Sequence, residues 1–335
     1  MRIGILSDMH LGYSHGTKAL ADGTNIREHD VYTSAYRGLR NLLDAGAECI
    51  VDLGDIAHVP HPKKRALITL ISLINGAGVN WYSAGGNHTA QRTTSDSHLY
   101  ELLVDQCPNF HGAFDGPQYF EDIGAYLVPY DTSENVVRGL EAMPDEAQWV
   151  GGHWACEDAD WPGEHVPLSA LPDRLTLLGH WHKRSGSGPI YVGATDRFAW
   201  GEAYNPCGVA ILEDGKLEFI DHQVRRWVDI TVTPDDYLED SHYENIEDCI
   251  VRVNVAASPD QYHAINLLFI RKKLAPSLEY QIRRHGYEAP ESSATPITGT
   301  ISVVDGFRNR IASAKIPKGV KREDVERIGV TALTE

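Results

Sequence analysis

Aspartate, asparagine and histidine recur along this chain in a pattern that suits metal-ion chemistry. Asp8-Met9-His10, Gly54-Asp55, Gly86-Asn87-His88, Gly152-His153 and Gly179-His180-Trp181-His182 each follow a short apolar run. Any one of them alone reads as a turn carrying a solvated polar side chain. Their repetition at the ends of apolar segments is what points to a shared site. Side chains two apart in an extended segment point the same way, so Asp8 with His10, and His180 with His182, can address one ion. The glycines allow sharp turns and close backbone approach. Carboxylate oxygens and neutral imidazoles suit manganese, iron or zinc, and the absence of thiolate ligands argues against a structural zinc site. Two ions roughly 3.5–4 Å apart need a bridging carboxylate, and Asp55 is the natural bridge.

The elements that would position these groups follow from the apolar pattern. Arg2–Ser7, Cys49–Leu53, Asn80–Ala84, Gln148–Gly152 and Leu175–Leu178 read as buried strands, each running into one of the polar tips. Helical spacing marks Val31, Ala35, Leu39, Leu42 and Leu43, with Gly46 as a helix end, and again Ala66, Leu67, Leu70, Ile71, Leu73 and Ile74. Ser97–Val104 and Glu134–Met143 also read as helices, Tyr119–Pro129 as one or two strands, and Ile190–Gly193 as a strand. Val209–Ile220 reads as a hairpin turning at Asp214-Gly215. Strand, polar tip and helix in repetition predict an α/β layered fold with its site at the carboxyl ends of the strands. The texture changes after Arg225-Arg226. Val228–Val232, Cys249–Val255 and Leu278–Arg283 read as strands and Pro259–Leu274 as a helix. The expected division is therefore a main domain over 1–224, a small α+β appendage over 225–290, and a linker with a short docking tail over 291–335.

Composition bounds what the chain can be. Its 335 residues carry 30 Lys+Arg against 47 Asp+Glu, a formal net charge of −17, with 42% hydrophobic and 23% charged residues. That is enough to bury a substantial core and rules out a chain disordered by composition. No apolar run approaches the ~20 residues that span a bilayer, and the first segment acquires a charge at Asp8, unlike a signal peptide. Five scattered cysteines with no Cys-x-x-Cys argue for reduced thiols in a cytoplasm. The negative total discourages indiscriminate binding to nucleic acid, though a cation-holding site or a local basic patch reverses the sign where it matters.

The ordered set D-x-H, G-D, G-N-H, G-H and G-H-x-H, spread over residues 8–182, resembles the calcineurin-like metallophosphoesterase superfamily. Asp8-Met9-His10-Leu11-Gly12-Tyr13, Gly54-Asp55-Ile56-Ala57-His58 and Tyr191-Val192-Gly193-Ala194-Thr195-Asp196-Arg197 resemble more narrowly the nuclease subunit of the double-strand-break repair complex. That subunit is called SbcD in bacteria and has short phage-encoded forms. Arg226-Trp227-Val228-Asp229-Ile230 and Cys249-Ile250-Val251-Arg252-Val253 look like that family's approach to its small, DNA-facing capping domain. The resemblance covers roughly residues 1–290. It implies an α/β/β/α sandwich with a cap, and two divalent ions, manganese above others. Asp8, His10 and His182 would hold one ion, Asn87, His153 and His180 the other, and Asp55 would bridge them. His88 matches the family's catalytic histidine and His58 a second histidine that contacts the phosphate. The activities implied are exonuclease on duplex ends and endonuclease on single-stranded DNA, by water attack without a covalent intermediate. Implied partners are DNA, a second copy of the chain and a coiled-coil ATPase of the SbcC kind. The family usually has an aspartate directly after the catalytic histidine. Thr89 stands there, leaving Asp96 as an alternative acid or His88 as a weaker base.

Other residues divide between function and packing. Lys63-Lys64-Arg65 opens a helix where positive charge opposes the helix dipole, so it reads as either a solvated start or a phosphate contact. Arg271-Lys272-Lys273 and Arg283-Arg284 are either a polyanion-binding face or an ordinary charged one, and Arg197 either a substrate contact or a structural ion pair. Tyr13, Trp154, Trp181, Phe198 and Trp200 read as packing more than as base-stacking platforms. Besides a nuclease, the same ligand set accommodates a phosphoesterase acting on a small molecule or phosphoprotein, or a metal-stabilised scaffold without activity.

Overall fold

A computed structural model describes residues 1–89, 99–160, 162–185 and 188–285, with isolated residues 311, 322, 323, 325 and 326 of the tail. Asp96 and almost all of the expected docking tail lie outside the described residues. In chain order the main body comprises β1 (Arg2–Leu6), α1 (Ile26–Asp44), β2 (Cys49–Asp52), α2 (Lys64–Ala77), β3 (Asn80–Ala84), α3 (Leu99–Gln106) and β4 (Phe110–Ala113). It continues with β5 (Gln118–Phe120), β6 (Ala125–Val128), α4 (Ser133–Glu141), β7 (Trp149–Gly152), β8 (Leu175–Leu178), β9 (Ile190–Tyr191), β10 (Gly208–Glu213) and β11 (Lys216–Asp221).

Two sheets stack face to face. The first has the order β11-β10-β1-β2-β3-β4 and the second β5-β6-β7-β8-β9. β1 through β4 run parallel, as do β6 through β9, so their carboxyl ends share one edge of the molecule. Strand alternation sorts the side chains. Ile3, Ile5, Val51 and Leu53 point inward to meet Leu127, Trp149 and Leu177 of the second sheet. Leu6 and Ile50 point outward and pack under α1 to α3 with Val31, Ala35, Leu39, Leu70 and Ile74. On the far side α4 covers the second sheet through Val136 and Leu140. The result is the α/β/β/α layering expected from the sequence. Each fully buried leucine or isoleucine in these layers contributes roughly 1.5–3 kcal/mol.

Local chemistry starts and stops the helices. Asn25 caps α1 by accepting the backbone N–H groups of Arg27 and Glu28. β4 escapes sequence reasoning because Phe-His-Gly-Ala lacks an apolar run.

Beyond this body lies a second unit with its own core: β12 (Trp227–Val232), β13 (Ile250–Ala256), α5 (Pro259–Ala264), α6 (Leu267–Lys273) and β14 (Glu279–His285). The three strands pair in the order β12-β13-β14, all parallel, over Val232, Val251, Val253, Ile270 and Leu274. The single helix expected over Pro259–Leu274 is two. Ile265 is extended (φ −75°, ψ 131°), and the Asn266 side chain caps a new helix by accepting the Phe269 N–H.

A buried ion network joins the two units. Arg27, 1% exposed, reaches Asp30 at 2.7 Å, Asp196 at 3.4 Å and the Arg197 carbonyl, and lies 5.8 Å from the Trp227 ring. Arg225 also grips Asp30.

Candidate metal centre

Backbone pairing continues past the strand ends and draws the polar tips together. Asp8 N–H donates to the Gly54 carbonyl, His10 N–H to Asp55 and Leu11 N–H to Ile56, at 2.9–3.1 Å. On the second sheet Gly179 N–H donates to Gly152. A Cβ on Gly54 would run into the His153 ring, and one on Gly86 into the Asp55 backbone, so both positions require glycine. Asp8, His10, Asp55 and His180 all have positive φ, between 46° and 76°. Such backbone is costly for non-glycine residues and clusters at functional sites.

All seven residues expected as ligands meet at this edge. His182 Nε2 lies 3.3 Å from Asp8 Oδ1 and 3.1 Å from His10 Nε2. His10 Nε2 is also 3.8 Å from Asp55 Oδ2, which His153 Nε2 approaches to 3.2 Å. Asn87 Oδ1 sits 3.0 Å from His153 Nε2 and 2.9 Å from His180 Nδ1. Asp8, His10 and His182 place their ligand atoms within 4.8 Å of one another, as do Asp8, Asp55 and His153. Asp8 and His153 are fully buried and His10 and Asp55 nearly so.

Backbone and side-chain acceptors fix which ring nitrogen faces the centre. A carbonyl only accepts, so His153 carries its hydrogen on Nδ1, facing Leu53 O at 2.8 Å, and turns Nε2 inward. His182 Nδ1 faces Glu202 Oε1 at 2.8 Å, again leaving Nε2 inward. Ser7 Oγ donates to Asp8 Oδ2 at 2.6 Å, and the His180 N–H does so at 3.1 Å.

The electrostatics fit a cation. Burial works against the charge of Asp8, yet His182 holds its carboxyl down at about 2. Burial likewise opposes the charge on His153 and His182, but Asp55 lifts the first to about 9 and Asp8 the second to about 10. Burial, then His182, pushes His10 well below its usual value, and burial, then His153, takes His180 to about 3. Two imidazolium protons thus offset two buried carboxylates where divalent ions would replace them. The donor set of two carboxylates, one amide oxygen and four imidazoles suits manganese, iron or zinc. By the resemblance, Asp8, His10 and His182 would hold one ion and Asn87, His153 and His180 the other, with Asp55 shared.

His88 and His58 flank this group. Their rings stack with centroids 4.9 Å apart, and His88 lies 4.6 Å from His10. His88 Nδ1 donates to the His58 carbonyl at 2.9 Å, and the His88 N–H donates to Asp55 Oδ1 at 2.8 Å. This backbone carbonyl fixes the tautomer of His88. Thr89 takes no part, since its hydroxyl faces Gly86 O and the Tyr100 hydroxyl. Burial, then His88, lowers the pKa of His58.

The basic residues split. Lys63, Lys64, Arg271 and Lys272 are exposed. Arg65 pairs with Asp22 at 2.7 Å, and Lys273 with Asp240 at 2.6 Å. Arg197 gives its donors to the carbonyls of Asn205 and Arg225, a structural use. Phe198 packs edge-on against His10 at 4.7 Å, and Trp154 is buried. Sequence reasoning missed Glu202, Ser7 and Asp52. Asp52 is fully buried, accepts from Ser83 Oγ and the Gly54 N–H, and burial raises its carboxyl well above the usual range. The only signal for Asp52 was a charged residue inside an apolar strand. Glu202 carried none.

Neither family models nor curated proteins match the sequence. Among solved structures the chain is similar to a dimetal phosphatase from Danio rerio (14% identity, 66% of this chain and 95% of that chain, TM-score 0.41). It is similar to a metallophosphoesterase from Sphaerobacter thermophilus (16% identity, 82% and 98%, TM-score 0.31). It is also similar to purple acid phosphatase PPD1 from yellow lupin seeds (14% identity, 67% and 52%, TM-score 0.36). Identities of 14–16% and TM-scores of 0.31–0.41 are low, and the chemistry of this chain rests on its own side chains.

Proposed function

We propose that the chain is a dinuclear-metal-dependent phosphodiesterase acting on DNA, the nuclease partner of an SbcC-like ATPase. The observation that carries this reading is the convergence of Asp8, His10, Asp55, Asn87, His153, His180 and His182 on one edge, with His88 and His58 beside them. Two divalent ions bound there, manganese by the resemblance, would supply an acidified water and neutralise phosphate oxygens.

The chain's own groups do the rest. Asp8 and Asp55 keep the floor of the site negative and fixed through Ser7, His180 and His88. With its Nδ1–H donated to the His58 carbonyl, His88 has only Nε2 with which to hold or deliver a proton at the leaving oxygen. His58, partly exposed beside it, is placed to contact the phosphate. Lys63 and Lys64 open α2 a few residues beyond His58 and offer positive charge to a polyanion, while Arg271 and Lys272 do so on the second unit. The exposed apolar residues Ile68 and Val104 on α2 and α3 suit pairing with a second copy. All five cysteines are buried and unpaired, which suits a reducing cytoplasm. No helix among the described residues is long and apolar enough to cross a membrane.

A small phosphate ester or a phosphoprotein is the alternative substrate. It is favoured by the engagement of Arg65, Arg197 and Lys273 within the protein. End-labelled duplex and single-stranded DNA incubated with the chain and Mn²⁺ should be cleaved. His88→Ala and Asp8→Ala should abolish cleavage while remaining folded. Activity that persists in both variants overturns the proposal, and turnover of a phosphomonoester without DNA cleavage transfers it to the alternative.

A further inference from the structure

We propose that Glu202 is a positioning residue for the metal centre, holding His182 with Nε2 aimed at Asp8; this rests on the metal-centre reading above. Three contacts converge on one carboxylate. Oε1 meets His182 Nδ1 at 2.8 Å, and Oε2 accepts the backbone N–H groups of Phe198 at 2.7 Å and Ala199 at 3.4 Å. A carboxylate only accepts, so His182 must carry a hydrogen on Nδ1 and present Nε2 inward, 3.3 Å from Asp8 Oδ1.

The carboxylate is itself held from outside the site. Glu202 ends a short 3₁₀ turn, Trp200–Glu202, whose first residue packs edge-on to Trp227 at 4.8 Å and lies 4.4 Å from the Arg252 guanidinium. Both partners belong to the three-stranded second unit. The segment between carries Phe198, whose ring meets His10 at 4.7 Å and His182 at 5.3 Å. Glu202 therefore ties a ligand of one ion to a turn anchored on the second unit, and His182 is aimed before any ion arrives. His153 is served instead by a backbone atom, its Nδ1 being held by the Leu53 carbonyl.

Calorimetric titration of Mn²⁺ into the full chain tests this. A wild-type chain that binds no ion defeats the metal-centre reading itself. Where the wild type binds two, Glu202→Ala should weaken one ion by roughly 10- to 100-fold and leave the other within about twofold. Glu202→Gln, whose single amide oxygen can accept from His182 Nδ1 or from the Phe198 and Ala199 N–H groups but not from both, should recover part of that loss. A Glu202→Ala chain that binds both ions as tightly as wild type, or loses both equally, overturns the proposal. Should Glu202→Ala fail to fold, long-range ¹H–¹⁵N correlation of the zinc-loaded wild type decides. His182 carrying its hydrogen on Nδ1 supports the proposal, and one on Nε2 overturns it.

Discussion

Removing divalent ions should make the stability of this protein fall steeply between pH 6.5 and 8.5. The cause is the pair of imidazoles that carry protons against buried carboxylates. His153, beside Asp55, is raised from 6.5 to about 9, and His182, beside Asp8, to about 10. A group whose pKa is raised by folding contributes stability that is fully present below its unfolded value. That contribution is lost as pH rises through the folded one. Since the unfolded imidazole is half deprotonated at pH 6.5 already, the span from 6.5 to 8.5 removes roughly 2 kcal/mol each for His153 and His182. For a chain of 335 residues, with an unfolding entropy of about 0.7 kcal/mol/K, the pair lowers Tm by about 6 °C. Below pH 6.5 the slope reverses, because His10 and His180 are buried uncharged and the unfolded chain takes up protons they refuse. Measurement stops at pH 8.5 to keep clear of Cys49, Cys156 and Cys207, whose burial pushes their thiols up to about 11–12. Differential scanning calorimetry in EDTA across this range, repeated with excess Mn²⁺, reads the effect. With ions bound the two imidazole protons are already gone, so their share of the slope should vanish. Titration of Mn²⁺ at pH 7.5 in buffers of different ionisation enthalpy should show roughly two protons released. A Tm in EDTA that stays level from pH 6.5 to 8.5, or ion binding without proton release, would refute the charge assignment.

Asp52→Asn should hold or raise Tm at pH 7.5 in EDTA. Folding raises the Asp52 pKa, so its carboxyl costs stability as pH climbs above the unfolded value near 3.8; the amide keeps the Gly54 and Ser83 contacts without that cost. A fall of several degrees would show that Asp52 is ionised in the folded protein. Arg27→Met should destabilise by about 3–5 kcal/mol, since it leaves Asp196 buried without its cation; urea unfolding measures this, and a loss below about 1 kcal/mol contradicts it. Thr89→Asp should not raise activity and should cost a few kcal/mol, because it buries a carboxylate against the Gly86 carbonyl and the Tyr100 hydroxyl. A faster, stable Thr89→Asp enzyme would mean that the His58 carbonyl does not govern His88.

The parts of the molecule that were legible in the sequence are those where one residue type has one physical use. Apolar strands running into Asp, Asn and His located all five tips, because parallel strands buried on both faces carry such groups mainly at their ends, Asp52 being the exception. What escaped depends on backbone atoms or on distant chain. The partner of His88 is the carbonyl of His58, an atom every residue has, so the missing aspartate after His88 looked like a defect. Glu202 lies twenty residues beyond His182 with no spacing rule between them. Arg65, Arg197 and Lys273 looked available for a polyanion because their partners, Asp22, the Asn205 and Arg225 carbonyls, and Asp240, come from other elements. The break between α5 and α6 turned on the capping strength of Asn266, which apolar spacing ignores.

The left-handed backbone at Asp8, His10, Asp55 and His180 sets the order of events at the centre. Each such residue costs of order 1–3 kcal/mol, so four of them persist only where surrounding structure over-determines them. Here the surroundings are visible. The Asp8, His10 and Leu11 N–H groups donate across to Gly54, Asp55 and Ile56, and Gly179 donates to Gly152, extending both sheets past their ends. The stacked cores beneath, with Ile5, Val51, Leu53 and Leu177 fully buried, hold those ends in register. These hydrogen bonds and the packed cores offset the strain. A site built this way differs from small metal-dependent modules whose ligands gather only when the metal binds. The fold aims the ligands, and ion binding would exchange the His153 and His182 protons for metal charge. That is why the first consequence of removing metal is expected in the pH dependence of stability and not in the loss of the fold.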